Sequence, residues 1–319
     1  ISDDYSKASA LKDIAVELVE AGQLDKVLTV ARSISDDIEK ASALKDIAVE
    51  LAKAGQFGIA FDVAMSIYDD SEKAEALSDI AVELAKAGQT QQALQIFNKA
   101  LNVAGSISRN SDKAKALIDI AWRLAKAGRF SKALTVAGSI SDDFLKASAL
   151  NFIAKELAKA GQTQKALQIF NDALNAAGSI SSNSSKASAL NFIAKELAKA
   201  GQTQQALQIF DKALNVAGSI YGNYYKAEAL RDIASELAKA GQFNKALTVA
   251  GSISDDSEKT WALRDIASEL AKAGQTQKAL QIFDDALNAA GSISDNDDKA
   301  EALSDIASEL AKAGQFNKA

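Results

Sequence analysis

A seven-residue sequence, Glu-Leu-Ala-Lys-Ala-Gly-Gln or a close variant of it, recurs nine times along this chain of 319 residues. The glycines of the nine copies are 33 or 40 residues apart, and they are Gly22, Gly55, Gly88, Gly128, Gly161, Gly201, Gly241, Gly274 and Gly314. The two spacings differ by seven residues, which is almost two turns of an α-helix. A repeat can therefore gain seven residues inside a helix and keep its apolar face in the same direction. This pattern predicts an array of helical repeats, whose function depends on a surface rather than on a pocket.

The first half of each repeat has the apolar spacing of a helix. In the first repeat this helix is predicted from about Ser6 to Ala21, with Leu11, Ala15 and Leu18 on one stripe. Aspartates precede the helix as predicted N-caps, at Asp3 or Asp4 and at the pairs Asp36-Asp37, Asp69-Asp70, Asp142-Asp143 and Asp255-Asp256. The repeated glycine follows, where a helix end needs a left-handed residue.

The second half of each repeat predicts a helix of two lengths. The short form runs from Phe243 to Gly251, and the long form continues from Gln202 to Gly218. The long forms belong to the repeats that begin at Gln89, Gln162, Gln202 and Gln275. The chain contains no proline, and no linker divides it. We therefore expect one solenoid over 1–319, of about nine antiparallel helix pairs with the last repeat truncated.

The sequence starts and stops within a repeat, so we expect it to be a piece of a longer array. Short repeats carry Phe or Leu after the Gly-Gln or Gly-Arg pair, whereas long repeats carry Thr. Phe316 stands at this position in the last repeat. If the chain continues, this truncated repeat is therefore expected to be short, with the next inter-helix glycine about 33 residues after Gly314.

Composition excludes several classes of site. The chain has no His and no Cys, which removes the commonest general base, thiolate metal sites and disulfides. No apolar stretch approaches the roughly 18 residues that a membrane span requires. With 36 basic and 42 acidic residues, a nucleic-acid partner is not favoured. The acidic segment Ser294–Asp298 lacks the Gly and terminal Glu of a calcium loop, and helix capping explains it better. We predict no enzyme activity, no cofactor and no metal.

The repeat resembles the tetratricopeptide repeat. The residues that carry the resemblance are the large Leu77, the pair Ile80-Ala81, Leu84 at the aromatic position, Gly88 between the helices, and Ala93, Phe97 and Ala100 in the second helix. Phe170, Phe210 and Phe283 repeat the aromatic of the long second helices. The match covers essentially the whole chain. It departs from the family in its two periods, where about 34 residues is usual, in the absence of the terminal proline, and in the Ala that short repeats carry at the position of Phe97.

This resemblance implies an all-α, right-handed superhelical solenoid whose first helices line the concave face. It also implies binding of a protein or peptide. At the family's clamp for an acidic tail, basic and amide groups gather on the first helices. Here the equivalent positions are mostly Asp, so a clamp for a carboxylate terminus is not expected.

Four positions on the first helix vary from repeat to repeat while the packing positions barely change. They lie two residues before, and one, two and five residues after, the leading Leu of each first helix. The spacing i, i+3, i+4, i+7 places them on one stripe. The candidate partner-binding residues on this stripe are Lys115, Ile118, Trp122, Asn151, Phe152, Lys155, Asn191, Phe192, Lys195 and Arg231. Drift on a solvated surface would also produce variation, but it rarely introduces large apolar groups.

Trp122, Phe152 and Phe192 occupy three consecutive repeats and are predicted to form one apolar strip, with the lysines and asparagines beside it. Aromatic anchors of this kind dominate the energetics of interfaces. The alternative for these three rings is packing between repeats. The sequence thus favours a non-enzymatic scaffold that binds a protein or peptide along its concave face. The alternatives are a structural array that associates head to tail through uncapped ends, and a designed repeat protein.

Overall fold

The computed structural model describes residues 36–312 without interruption, residue 314, and parts of the segment 10–34. It does not describe residues 1–9, 12, 15, 16, 20, 24, 25, 28, 31, 32, 35, 313 and 315–319. The predicted cap at Asp3 or Asp4, much of the first predicted helix and Phe316 therefore lie outside the described residues.

Between 37 and 312 the described chain is a series of paired α-helices. The first helices of the pairs each have 17 residues and are α1 (Asp37–Lys53), α3 (Asp70–Lys86), α5 (Asn110–Lys126), α7 (Asp143–Lys159), α9 (Asn183–Lys199), α11 (Asn223–Lys239), α13 (Asp256–Lys272) and α15 (Asn296–Lys312). The second helices are α2 (Phe57–Met65), α4 (Thr90–Ser106), α6 (Phe130–Gly138), α8 (Thr163–Ser179), α10 (Thr203–Gly218), α12 (Phe243–Gly251) and α14 (Thr276–Gly291). The prediction of an all-α chain of helix pairs is confirmed.

Aspartate side chains cap the first helices that follow the predicted aspartate pairs, whereas Arg109, Ser182 and Gly222 precede the other helices α5, α9 and α11. The Asp36 carboxylate accepts hydrogen bonds from the backbone N–H groups of Ile38 and Glu39, at 3.0 and 2.9 Å. The equivalent caps of α3, α7 and α13 are Asp69, Asp142 and Asp255. In the segment that resembles a calcium loop, the Asp295 carboxylate accepts from the N–H groups of Asp297 and Asp298. Capping is confirmed there too, since these bonds satisfy donors that the first turn leaves unpaired.

The repeated glycine ends each first helix in the left-handed region. Its φ lies between 70° and 77° in all nine repeats. At the end of α1, the Gln56 N–H donates to the Leu51 carbonyl at 2.8 Å and the Gly55 N–H donates to the Ala52 carbonyl at 3.0 Å. This double closure is the Schellman motif, and it turns the chain back into the second helix. Any other residue at this position would be strained because of its Cβ.

The second helices have the two predicted lengths. The short ones, α2, α6 and α12, have 9 residues each, whereas the long ones have 16 or 17. The added residues of the long repeats are helical in every case. The positions of the tetratricopeptide resemblance form the core, because Leu77, Ile80, Phe97 and Ala100 are all fully buried. Phe170, Phe210 and Phe283 are fully buried as well.

The chain forms two compact parts, an N-terminal half (Ile1–Ile169) and a C-terminal half (Phe170–Ala319). In the N-terminal half, α3 packs on its own second helix α4, on the preceding α2, and on the neighbouring first helices α1 and α5. In the C-terminal half, α13 packs in the same way on α14, α12, α11 and α15. The first helices of each half therefore lie side by side. A single solenoid over 1–319 stays a prediction.

Candidate partner-binding surface

The four variable positions lie on one side of each first helix, and we call this side the first-helix face. Its residues are mostly half-buried, because the first helices lie close together. Of the varied residues on α1, α3 and α5, only Lys115 is well exposed. The face is therefore a packed surface between helices, and its residues contact one another across the helix boundaries.

Polar side chains connect neighbouring first helices at most of these boundaries. Between α1 and α3, the Lys45 ammonium lies 2.7 Å from Glu72 and 3.1 Å from Glu75. Between α11 and α13, Arg231 donates to Glu258 at 2.7 Å and the Ser235 hydroxyl donates to Asp265 at 2.7 Å. Further links join Lys195 to Glu236, Arg264 to Asp305, and Ser268 to Glu309. Residues of the variable stripe thus supply polar contacts between adjacent first helices.

Two aromatic rings replace such a polar link between α5 and α7. The Trp122 and Phe152 ring centroids are 5.3 Å apart, with the planes inclined at 31°. The ammonium groups of Lys126 and Lys155 each lie 5.9 Å from the Phe152 centroid. Both rings are half-buried, and the buried Trp122 indole Nε1 has no hydrogen-bond partner. The structure therefore brings together two of the three predicted anchors, through the inter-repeat packing that was the alternative interpretation.

Ile118 and Asn191 belong to the predicted partner-binding set, and both side chains are buried. Ile118 is 5% exposed and Asn191 is 6% exposed. Both stand one residue after the leading Leu, and Ser78, at the same position of α3, is fully buried. This position is at the edge of the stripe, so close packing of the helices covers it.

The remaining predicted residues differ in exposure and in partners. Asn151 and Lys155 are half-buried, and the Asn151 Oδ1 is buried without a hydrogen-bond partner. Lys195 pairs with Glu236 at 2.9 Å. Arg231 bonds to Asp232 and Glu258. Phe192 belongs to the C-terminal half and is 47% exposed. A strip that joins Phe192 to Trp122 and Phe152 stays a prediction.

A half-buried arginine, Arg123, forms hydrogen bonds with two acidic side chains on the first-helix face of the N-terminal half. The Arg123 Nη2 donates to Asp79 at 2.9 Å and to Glu75 at 3.2 Å. Burial raises the pKa of the Asp119 carboxyl above its ordinary value, while Arg123 opposes this shift and the charges of Glu75 and Asp79 add to it. Asp79 therefore has the arginine as a direct partner, whereas Asp119 lies desolvated among like charges.

A groove of about 680 Å³ crosses the first-helix face of the N-terminal half. Its apolar lining includes Val49, Val82 and Trp122, which occupy the same position, five residues after the leading Leu, on α1, α3 and α5. Three lysines, Lys53, Lys86 and Lys126, also line the groove, together with Asp79, Glu83, Asp119 and Arg123. An apolar floor with a charged rim is the usual anatomy of a protein-binding patch.

A cavity of about 520 Å³ lies on the first-helix face of the C-terminal half. Phe192, Trp261 and Asn191 line it together with charged groups of both signs. The Arg231 guanidinium carbon lies 5.8 Å from the centroid of the Trp261 ring. This cavity is more polar and more acidic than the groove of the N-terminal half.

Val49, Val82 and Trp261 line these sites but are absent from the predicted set. All three stand at variable positions of the stripe, so the pattern that selected Trp122 was available for them. Valine is common at both buried and exposed positions, so the sequence pattern alone does not mark Val49 and Val82 as binding residues. Their contribution to an apolar groove becomes evident only where three helices align the same position.

Within the described part of the chain, no helix is long and apolar enough to cross a membrane. Among those same residues, no group of three or more acidic side chains is arranged to hold a metal ion.

No protein-family model matches the sequence. No curated protein sequence matches it either. Among solved structures, the chain is similar to Ton1535 from Thermococcus onnurineus NA1, with 21% identity over 93% of this chain and 99% of that chain and a TM-score of 0.36. It is also similar to the apo quorum sensor NprR from B. thuringiensis, with 15% identity, 91% and 89% coverage and a TM-score of 0.36.

A third similar structure is a signal transduction ATPase with a tetratricopeptide repeat sensor from Pyrococcus horikoshii. It has 16% identity, covers 92% of this chain and 47% of that chain, and gives a TM-score of 0.35. These likenesses are distant, so the assignment of the fold rests on the helix pairs, their left-handed glycines and their buried positions. On that geometry the chain is an array of antiparallel α-helix pairs, as the resemblance to the tetratricopeptide repeat implies.

Proposed function

We propose that this chain is a non-enzymatic scaffold that binds an extended peptide or a partner helix along the first-helix face of its N-terminal half. The observation that supports this proposal most is the groove with Val49, Val82 and Trp122 in its lining. Side chains of a partner that enter this groove would bury apolar surface against three helices at once. The absence of His and Cys from the sequence agrees with a binding role rather than a catalytic one.

The charged residues of the groove determine which partner fits. Lys53 and Lys86 pair with glutamates of their own helices, at 2.6 and 2.7 Å. The basic groups of the groove outnumber its acidic groups by one, since four (Lys53, Lys86, Arg123, Lys126) stand against three (Asp79, Glu83, Asp119). A partner with large apolar side chains and little net charge is therefore favoured over a strongly charged one.

Selection from a random peptide library, followed by one matched pair of variants, tests the proposal. Peptides are selected on the immobilised chain, and their dissociation constants are measured by fluorescence anisotropy. Val82→Glu places a charge on the apolar lining, so we expect it to weaken binding about 30-fold or more. Ser308→Glu is the control, because Ser308 holds the same position on α15 and is exposed.

Circular dichroism of both variants verifies that the helices remain intact. Equal affinity of the wild type and Val82→Glu would contradict the proposal. Loss of binding in Ser308→Glu alone would place the site in the C-terminal half and would contradict it as well.

A further inference from the structure

The cavity of the C-terminal half has an aromatic face that no internal cation covers. Phe192 is the counterpart of Phe152, and the sequence Leu-Asn-Phe-Ile-Ala-Lys is identical around both. Two lysines lie over the Phe152 ring, whereas in the described part of the chain no lysine or arginine lies over the Phe192 ring. The lysine equivalent to Lys155 is Lys195, which lies 2.9 Å from Glu236. The negative face of the Phe192 ring is therefore available to a ligand.

Acceptor oxygens without internal partners line the same cavity. The Asp232 Oδ1 accepts two of the three hydrogen bonds that Arg231 donates, and no hydrogen bond in the described structure reaches the Asp232 Oδ2. The Asp305 carboxylate accepts a hydrogen bond from Arg264 on its Oδ2 alone. Glu301 is exposed and forms no ion pair with any described residue. Five acidic side chains line the cavity against three basic ones, and all three basic groups are paired with carboxylates. The polar groups of the cavity that remain without an internal partner are therefore carboxylate oxygens, which carry negative charge.

A buried amide at the cavity wall points to a ligand independently of the carboxylates. Asn191 lines the cavity at 6% exposure, and its Oδ1 is buried without a hydrogen-bond partner. Buried polar side chains are normally satisfied, and beside this cavity a ligand atom or a water can supply the missing partner. No internal hydrogen bond fixes this amide. Rotation of the amide group by 180° can therefore present either its oxygen or its nitrogen to the cavity.

We propose that this cavity binds the guanidinium group of an arginine in a partner peptide. The group lies on the Phe192 ring, and it donates hydrogen bonds to the Asp232 Oδ2 and to the turned Asn191 amide. A planar guanidinium with five N–H donors fits a site that combines a ring face with carboxylate and amide acceptors. The free carboxylate oxygens of Asp305 and Glu301 favour a second basic residue further along the peptide. The inference depends on the proposed function only in that the partner is a peptide.

A pair of peptides of nearly identical shape, one with guanidinium groups and one with neutral ureido groups, tests this inference. The probes are acetyl-Leu-Arg-Ala-Arg-Leu-amide and the same peptide with citrulline, which is neutral, in place of both arginines. The chain carries Trp122→Phe, so that Trp261 is its single tryptophan and reports binding by fluorescence. We expect saturable binding of the arginine peptide, and binding of the citrulline peptide that is weaker by about tenfold.

Variants then locate the site. Phe192→Ala and Asp232→Asn should each weaken binding of the arginine peptide by about threefold to tenfold. Asp285→Asn, an exposed charge change on the second helix α14, should leave it unchanged. Equal binding of the two peptides, or equal binding by Phe192→Ala, Asp232→Asn and the wild type, would overturn the inference.

Val82→Glu separates this inference from the proposed function. If the arginine peptide binds Val82→Glu as it binds the wild type, the cavity is a site of its own, whatever the outcome for the N-terminal groove. If Val82→Glu weakens the arginine peptide and Phe192→Ala does not, the peptide occupies the N-terminal groove. That result would overturn the inference and leave the proposed function intact.

Discussion

At the scale of single residues, the same side chain at the same repeat position has different surroundings. Phe152 packs on Trp122 and is half-buried, whereas Phe192 is 47% exposed. We expect Phe152→Ala to lower the free energy of unfolding by about 2 kcal/mol, because it removes an aromatic pair and partly buried area. Phe192→Ala should lower it by less than about 1 kcal/mol.

Chemical denaturation of the two variants measures this difference, and the near-identity of the two repeats makes each variant the control of the other. A larger loss of stability in Phe192→Ala than in Phe152→Ala would contradict the description of the two rings.

Asp79 and Asp119 also share a repeat position, and we expect their replacements to act in opposite directions. Asp79→Asn removes a carboxylate that receives hydrogen bonds from the half-buried Arg123, so it should destabilise the fold by about 1–2 kcal/mol at pH 7. Asp119→Asn removes a desolvated charge that lies among other acids, so it should stabilise the fold at pH 7.

The effect of Asp119→Asn should depend on pH in a stated direction. The pKa of Asp119 in the folded chain is raised above 3.8, the ordinary pKa of an aspartate carboxyl. The folded chain therefore binds this proton more tightly than the unfolded chain does. The penalty of ionisation is fully present above the raised pKa, and it disappears below about pH 3.8. The gain from Asp119→Asn, measured by denaturation at several pH values, should therefore be largest near neutrality and vanish in acid. A gain that grows as the pH falls would contradict this account.

At the scale of helices, the seven extra residues of a long repeat form a removable segment. Without Thr203–Ile209, α10 would begin at Phe210, and the remaining sequence Phe-Asp-Lys-Ala-Leu-Asn-Val-Ala-Gly matches α12 in all but two positions. Removal of seven residues rotates the helix by only about 20° from its original phase. We therefore expect deletion of Thr203–Ile209 to leave a folded chain with a cooperative thermal transition.

Deletion of five residues, Thr203–Leu207, is the control, because it shifts the phase by about 140° and turns buried positions outward. Its melting temperature should fall far below that of the seven-residue deletion, as followed by circular dichroism. Similar melting of both deletions would mean that the apolar phase of α10 does not determine its packing.

The helices were predictable from local chemistry, whereas the contacts of the first-helix face were not. Caps, left-handed glycines and helix lengths depend on neighbouring residues, so Asp36 and Gly55 identify them directly. The burial of Ile118 and Asn191 depends on how closely adjacent first helices approach each other. The spacing of residues along the sequence does not predict that distance between helices. For the same reason the sequence placed Trp122 and Phe152 on one stripe but did not decide between a ring pair and two separate anchors.

At the scale of the whole molecule, one repeat frame supports two different surfaces. The groove of the N-terminal half has an apolar lining, whereas the cavity of the C-terminal half combines rings with carboxylates. The buried positions between first and second helices are nearly constant from repeat to repeat, whereas the residues of the stripe vary.

Photo-crosslinking from the groove tests the central claim, that the partner lies on the first-helix face. Benzoylphenylalanine is placed at Val82 on α3 or at Gln95, an exposed position on the second helix α4 of the same repeat. The library-selected peptide is bound to each protein, and the crosslinked product is identified by mass spectrometry after irradiation. The account predicts a crosslink from position 82 and none from position 95. A crosslink from position 95 alone would place the partner on the second helices and contradict it.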